Sequence, residues 1–131
     1  MLEKRQQPGG DRIGAQIVEL RPNEAQRVDA ERIGAIYARV GPVMAESTIN
    51  RAMQILGDRL DALEVEGRDG ALRVVGIAEG VGLTTLAHCA RGAAEAANTG
   101  DPVASAAARA RVRRAGNRAL RLVWGAEAPP A

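Results

Sequence analysis

Apolar residues recur along this chain at spacings of three and four, with polar residues sorted between them, which is the pattern of amphipathic helices packed side by side. The cleanest run is Ile49, Met53, Leu56, Leu60 and Leu63, a single seam with Arg51, Asp58, Arg59 and Glu64 lying off it. Ser47 is placed to cap the start of that helix and Gly67 to stop it. Upstream, Asn23 and Glu24 suit a helix N-terminus. The run that follows puts Val28, Ile33, Ile36 and Val40 roughly on one stripe before Gly41-Pro42 ends it. Downstream, Asp69 opens a segment that reaches about Ala97 and contains Gly76, Gly80, Gly82 and Gly92. Each glycine costs about 1 kcal/mol relative to Ala in a helix interior. Two readings stay open there: one long weakened helix, or two helices jointed near Gly80–Gly82. Asn98-Thr99-Gly100 closes the segment. Asp101 as N-cap with Pro102 behind it is the strongest start signal in the chain. The helix it opens runs to about Trp124, with Gly116 as a point where it could bend.

Four helical segments with short connections predict an all-α fold, an antiparallel four-helix up-down bundle. Residues 13–124 form the expected bundle domain, with disordered tails at 1–12 and 125–131. The stretch 13–20 is too short to assign to a strand or a helical turn. A chain of 131 residues fits one domain. It has no Phe, one Trp and one Tyr, so its core must be built from Leu, Ile, Val, Met and Ala, which lets helices approach closely. Met44 and Met53 read as core filler.

Charge changes this picture little. The formal net charge is +2, so neither nucleic acid nor a membrane surface is demanded as a partner. Lys4 is the single lysine, and the Arg, Ala and Gly content reads as the coding bias of a GC-rich bacterial genome. One cysteine, Cys89, excludes an intramolecular disulfide and a Cys-based zinc site, and suits a reducing compartment. Met1–Gly10 lacks the apolar run of a secretory signal, and no stretch is long enough to span a bilayer, so a cytoplasmic location is expected.

Candidate chemistry centres on His88, the sole histidine. Positions three and four beyond it hold Arg91 and Gly92, which are not metal ligands. Leu83, Leu86, Ala90, Ala93 and Ala97 make the apolar seam of this helix, and His88 lies about 160° from Leu86, on the side shared with Arg91 and Glu95. A continuous helix would instead bring Val74, Ile77 and Val81 onto the His88 face.

The run Ala87-His88-Cys89-Ala90-Arg91-Gly92 resembles the signature of histidine-containing phosphotransfer domains, the modules of bacterial two-component phosphorelays. Ala87, His88, Arg91 and Gly92 match; Ala90, Ala93 and Ala94 stand where the family carries a Leu-like residue and small hydroxyl residues. The resemblance implies His88 as phosphoacceptor, Arg91 as the cation that stabilises the phosphoryl group, and Gly92 as the clearing that admits a partner. It implies a receiver domain of a response regulator, or a hybrid histidine kinase, as partner, with Thr84, Thr85 and Glu95 as flanking contacts. Such a protein is a phosphotransfer intermediate instead of a turnover enzyme. No cofactor and no metal are expected on this chain, since receiver domains normally supply Mg²⁺. The physical logic agrees: i, i+3 and i+4 share a helix face, and imidazole is a nucleophile that titrates near neutrality. The plain alternative is an incidental histidine in an Ala-rich bundle, with Thr84 and Thr85 as caps and surface residues.

A second constellation is the arginine run of the last helix: Arg109, Arg111, Arg113, Arg114, Arg118 and Arg121. As contacts to phosphates, Arg109, Arg113, Arg114 and Arg118 would make this a nucleic-acid-binding or interaction module without catalysis. They spread around the helix, however, and fit a solvated, salt-bridged surface equally well. Gly76, Gly80 and Gly82 lack the lysine of a phosphate-binding loop and read as close packing or a hinge.

Overall fold

The computed structural model describes residues 26–124. The expected tails, the stretch 13–20 and the Asn23 cap therefore lie outside the described residues. Four helices account for most of what is described: α1 (Ala30–Asp61), α2 (Leu63–Gly80), α3 (Thr84–Asn98) and α4 (Pro102–Trp124). They pack as an antiparallel four-helix bundle with α3 between α2 and α4, and α1 against α2 and α4.

Asp29 caps α1, its Oδ1 accepting from the Arg32 amide at 3.1 Å. Gly41-Pro42 does not end the helix as expected. Gly41 leaves helical geometry (φ 82°, ψ 166°) and the helix resumes at once. The reason lies in Pro42: at the first position of a helical segment its missing N–H and fixed φ are no handicap. The second half of α1 thus begins five residues before Ser47, which sits exposed inside the helix and caps nothing. The seam from Ile49 packs inward: Ile49 is half-buried, and Met53, Leu56, Leu60 and Leu63 are buried. The first helix starts later than its sequence suggests, at Ala30 on the Asp29 cap, so the described residues 26–29, Val28 among them, are not helical. Val28 and Val40 are more than 40% exposed, and Met44 is exposed and not core filler. Ile33 and Ile36 of the expected stripe are half-buried, whereas Val40 and Met44, on either side of the kink, face outward; Ala45 is the first buried residue of α1.

The α1–α2 corner also differs from expectation. The helix breaks at Ala62, and Leu63 opens α2 while still completing the seam. Gly67 turns the backbone inside α2 (φ 59°, ψ −126°), placing Asp69 in the first turn of the resumed helix. The glycine-rich segment resolves into two helices, α2 and α3, separated by Val81–Leu83. Gly82 requires its lack of a side chain twice over: φ is 76°, and a Cβ would sit 2.9 Å from the Asp29 carbonyl oxygen. That loop is stitched to the segment before α1. The Asp29 amide donates to Gly82 O at 2.7 Å, the Thr84 amide to Arg27 O at 3.0 Å, and Val28 and Leu83 form an antiparallel bridge.

Asp101 caps α4 as its sequence predicts, its Oδ1 accepting from the amides of Val103 (3.0 Å) and Ala104 (3.2 Å). The helix runs on through Gly116, which is buried against Leu60 so closely that a Cβ would lie 2.5 Å from Leu60 Cδ1. This is where α1 and α4 press together. Val112, Ala115 and Ala119 continue the buried face of α4, and the Trp124 indole N–H donates to Asn50 Oδ1 at 3.0 Å to fasten its end to α1. No helix among the described residues is long and apolar enough to cross a membrane.

Candidate functional site

α3 is divided cleanly by its own periodicity. Leu86, Ala87, Cys89, Ala90, Ala93 and Ala94 are buried, and His88, Arg91 and Glu95 are exposed. The break at Val81–Leu83 makes this possible. Because α2 and α3 are separate helices, Val74 and Val81 are buried in the core and do not extend over the histidine. His88 and Cys89, neighbours in sequence and about 100° apart on the helix, end on opposite sides of the protein surface, the imidazole outside and the thiol inside.

Arg91, one turn beyond His88, is ion-paired with Glu79 near the end of α2; both side chains are about half exposed (50% and 52%). The pair borders a cleft of about 210 Å³ lined by Asp29, Glu79, Gly82, Thr84, Ala87 and Arg91. Its lining joins the α2–α3 loop to Thr84, Ala87 and Arg91 of α3, and Thr84 and Arg91 share the exposed face of that helix with His88. Gly92 is half-buried, with open space where a Cβ would be. Thr84 and Thr85 serve the fold: Thr84 Oγ1 donates to Arg27 O at 3.0 Å, and Thr85 Oγ1 accepts from the Arg27 amide at 2.8 Å. Glu95 lies two turns beyond His88 on the solvent face. Of the residues singled out in sequence, α3 therefore brings His88, Arg91, Gly92, Thr84 and Glu95 to one surface. Glu79 and Asp29 complete it and carry no sequence signal, because they come from other elements 9 and 59 residues from His88.

No family model matches the chain, and no curated protein or solved structure is significantly similar to it. The chemistry of the surface is accordingly that of its own groups: an accessible imidazole, a guanidinium one turn away and three carboxylates around them. Among the described residues, no three His, Cys, Asp or Glu side chains gather as metal ligands.

The arginines of α4 are disposed differently. Glu64, near the start of α2, takes up two of them: Arg109 Nε donates to Oε1 at 3.1 Å and an Arg113 guanidinium nitrogen to Oε2 at 2.6 Å. The hydrogen bond from Arg113, reinforced by the charge of Arg109, holds the Glu64 carboxyl below its usual range. Arg114 is exposed and Arg118 half-buried. The run is thus split between an ion-pair clamp across α2 and α4, Arg118 with its Nε and one Nη enclosed by the fold, and exposed positions such as Arg114, and makes no single stripe. A separate apolar hollow of about 230 Å³ lies between α1, the α2–α3 loop and the end of α4, lined by Val28, Ile33, Met53, Val81, Leu83 and Leu122 among others.

Proposed function

We propose that this protein is a histidine phosphotransfer module of a bacterial, cytoplasmic phosphorelay, with His88 as the phosphoacceptor. The observation that carries the reading is the exposure of the His88 ring on the face of α3 that also presents Arg91. A nucleophile for a macromolecular donor must stand clear of its own fold, and it needs a cation near the charge it will receive. Both requirements are met on one turn of helix, with Gly92 leaving room beside the ring.

The chemistry is an in-line exchange. A ring nitrogen lone pair attacks the phosphorus of an aspartyl phosphate on a receiver domain. The new P–N bond forms as the P–O bond to the aspartyl carboxyl breaks, and the carboxylate leaves with that electron pair. Transfer onward to a second receiver is the reverse. Arg91 offsets the charge of the phosphoryl group on the ring, and Thr84 and Glu95 border the docking surface.

The test is phosphoryl incorporation from phosphoramidate, followed by incubation with phosphorylated and unphosphorylated receiver domains. Acid-labile label is expected on wild type, absent from His88→Gln, and exchangeable with a receiver. Failure of wild type to take label, or equal labelling of His88→Gln, overturns the proposal. Receiver binding that survives in His88→Gln without any labelling of wild type would mark a docking module devoid of phosphoryl chemistry.

A further inference from the structure

We infer that Glu79 restrains the phosphoacceptor face: its carboxylate occupies Arg91 in the unmodified protein and must give way when a phosphoryl group is delivered to His88. The inference rests on the proposed role of His88 and adds a residue that the sequence pattern around the histidine does not contain.

Arg91 is the nearest cation to His88 along α3, and its guanidinium is already engaged by Glu79. Glu79 is presented from a fixed base. It precedes the Val81–Leu83 loop, which the Asp29–Gly82 and Arg27–Thr84 backbone bonds anchor. The second carboxylate of the cleft, Asp29, is committed elsewhere, with its Oδ1 capping α1 at the Arg32 amide. Arg32 is engaged by the backbone at the end of α2, its Nε donating to Gly80 O at 3.1 Å. Glu95 adds a third carboxylate on the solvent face of α3. An anionic donor approaching His88 therefore meets an Arg91 guanidinium already paired with the Glu79 carboxylate. Once a dianionic phosphoryl group is on the ring, it offers Arg91 a stronger charge-assisted partner than a single carboxylate does. Exchange of Glu79 for the phosphoryl group then favours the modified state.

The experiment is the rate of labelling by phosphoramidate in wild type, Glu79→Gln, Arg91→Ala and the double variant. In each reaction the donor P–N bond breaks, ammonia leaves with a proton, and a P–N bond to His88 forms. Exposed ion pairs limit the effect, so Glu79→Gln is expected to label about two- to fivefold faster than wild type. The gain should shrink as salt is raised and vanish when Arg91 is already Ala. Equal rates for wild type and Glu79→Gln, or a gain that persists undiminished without Arg91, overturns the restraint while leaving His88 as acceptor. Absence of label from every variant overturns both.

Discussion

Replacing Gly82 by Ala puts the α2–α3 joint to a quantitative test. Two costs follow from its position. An alanine held at φ 76° is in left-handed geometry, which costs an L-residue about 1–2 kcal/mol. Its Cβ would also stand 2.9 Å from the Asp29 carbonyl oxygen, a backbone atom that cannot rotate aside. Asp29 must then move away, and its 2.7 Å amide bond to Gly82 O lengthens or breaks, at a further cost of about 0.5–1.5 kcal/mol. The sum is about 1.5–3.5 kcal/mol of lost stability, provided the whole bundle unfolds as one unit. Urea unfolding followed by circular dichroism measures it, with amide exchange at Asp29 and Thr84 showing whether the segment before α1 has come loose. Gly82→Asn separates the two costs. Asparagine tolerates the left-handed region but carries the same Cβ, so a loss equal to that of Ala assigns the effect to the contact, and a smaller one to φ. An unchanged midpoint for Gly82→Ala, with undiminished protection at Asp29, would refute the reasoning.

Three other outcomes are expected. Gly116→Ala pushes a methyl to within 2.5 Å of Leu60 Cδ1 and should destabilise despite the better helix propensity of Ala; Leu60→Val in the same chain should recover part of the loss in thermal melts, and a more stable single variant would contradict the close α1–α4 crossing. Leu86→Ala, at 0% exposure, should cost about 2–5 kcal/mol, against about 1 kcal/mol or less for Leu72→Ala on the surface; equal losses would dispute which face of α3 is inside. Glu64→Gln should remove the clamp on Arg109 and Arg113. Because the folded carboxyl is held below its ordinary value of 4.5, its contribution is present above that value and disappears as pH falls through the lowered one. The stability gap between wild type and Glu64→Gln should accordingly be small, open near neutral pH at low salt, and closed in acid; a gap that widens in acid would reverse the assignment.

Local chemistry made some of this molecule readable in advance. Asp101-Pro102 acts through atoms within one turn, and the Ile49–Leu63 seam depends only on helical period, so both are visible in sequence. The exposure of His88 followed from the same period once the helix was allowed to start anew at Thr84. What escaped notice depends on distant partners. Gly41-Pro42 carries the signature of a stop, yet its effect is a kink, because the residues after Pro42 form helix readily. Met44 is apolar and still exposed, because the inward face of α1 at that point is carried by its neighbour Ala45. The Glu79–Arg91 pair and the grip of Thr84 and Thr85 on Arg27 exist only because the bundle brings together residues 12 to 58 positions apart. Glu64 is equally silent in sequence, being one carboxylate among many until α4 lies beside it.

The inward thiol of Cys89 gives α3 a reporter on its hidden side. It is the chain's one sulfhydryl and is 1% exposed, so a water-soluble thiol reagent can reach it only when α3 lifts from its neighbours. The rate of alkylation in native buffer thus counts those openings directly. Since His88 sits on the same turn of α3, any loosening that follows modification of the imidazole is registered as faster alkylation one residue away, without a dye or an engineered tag.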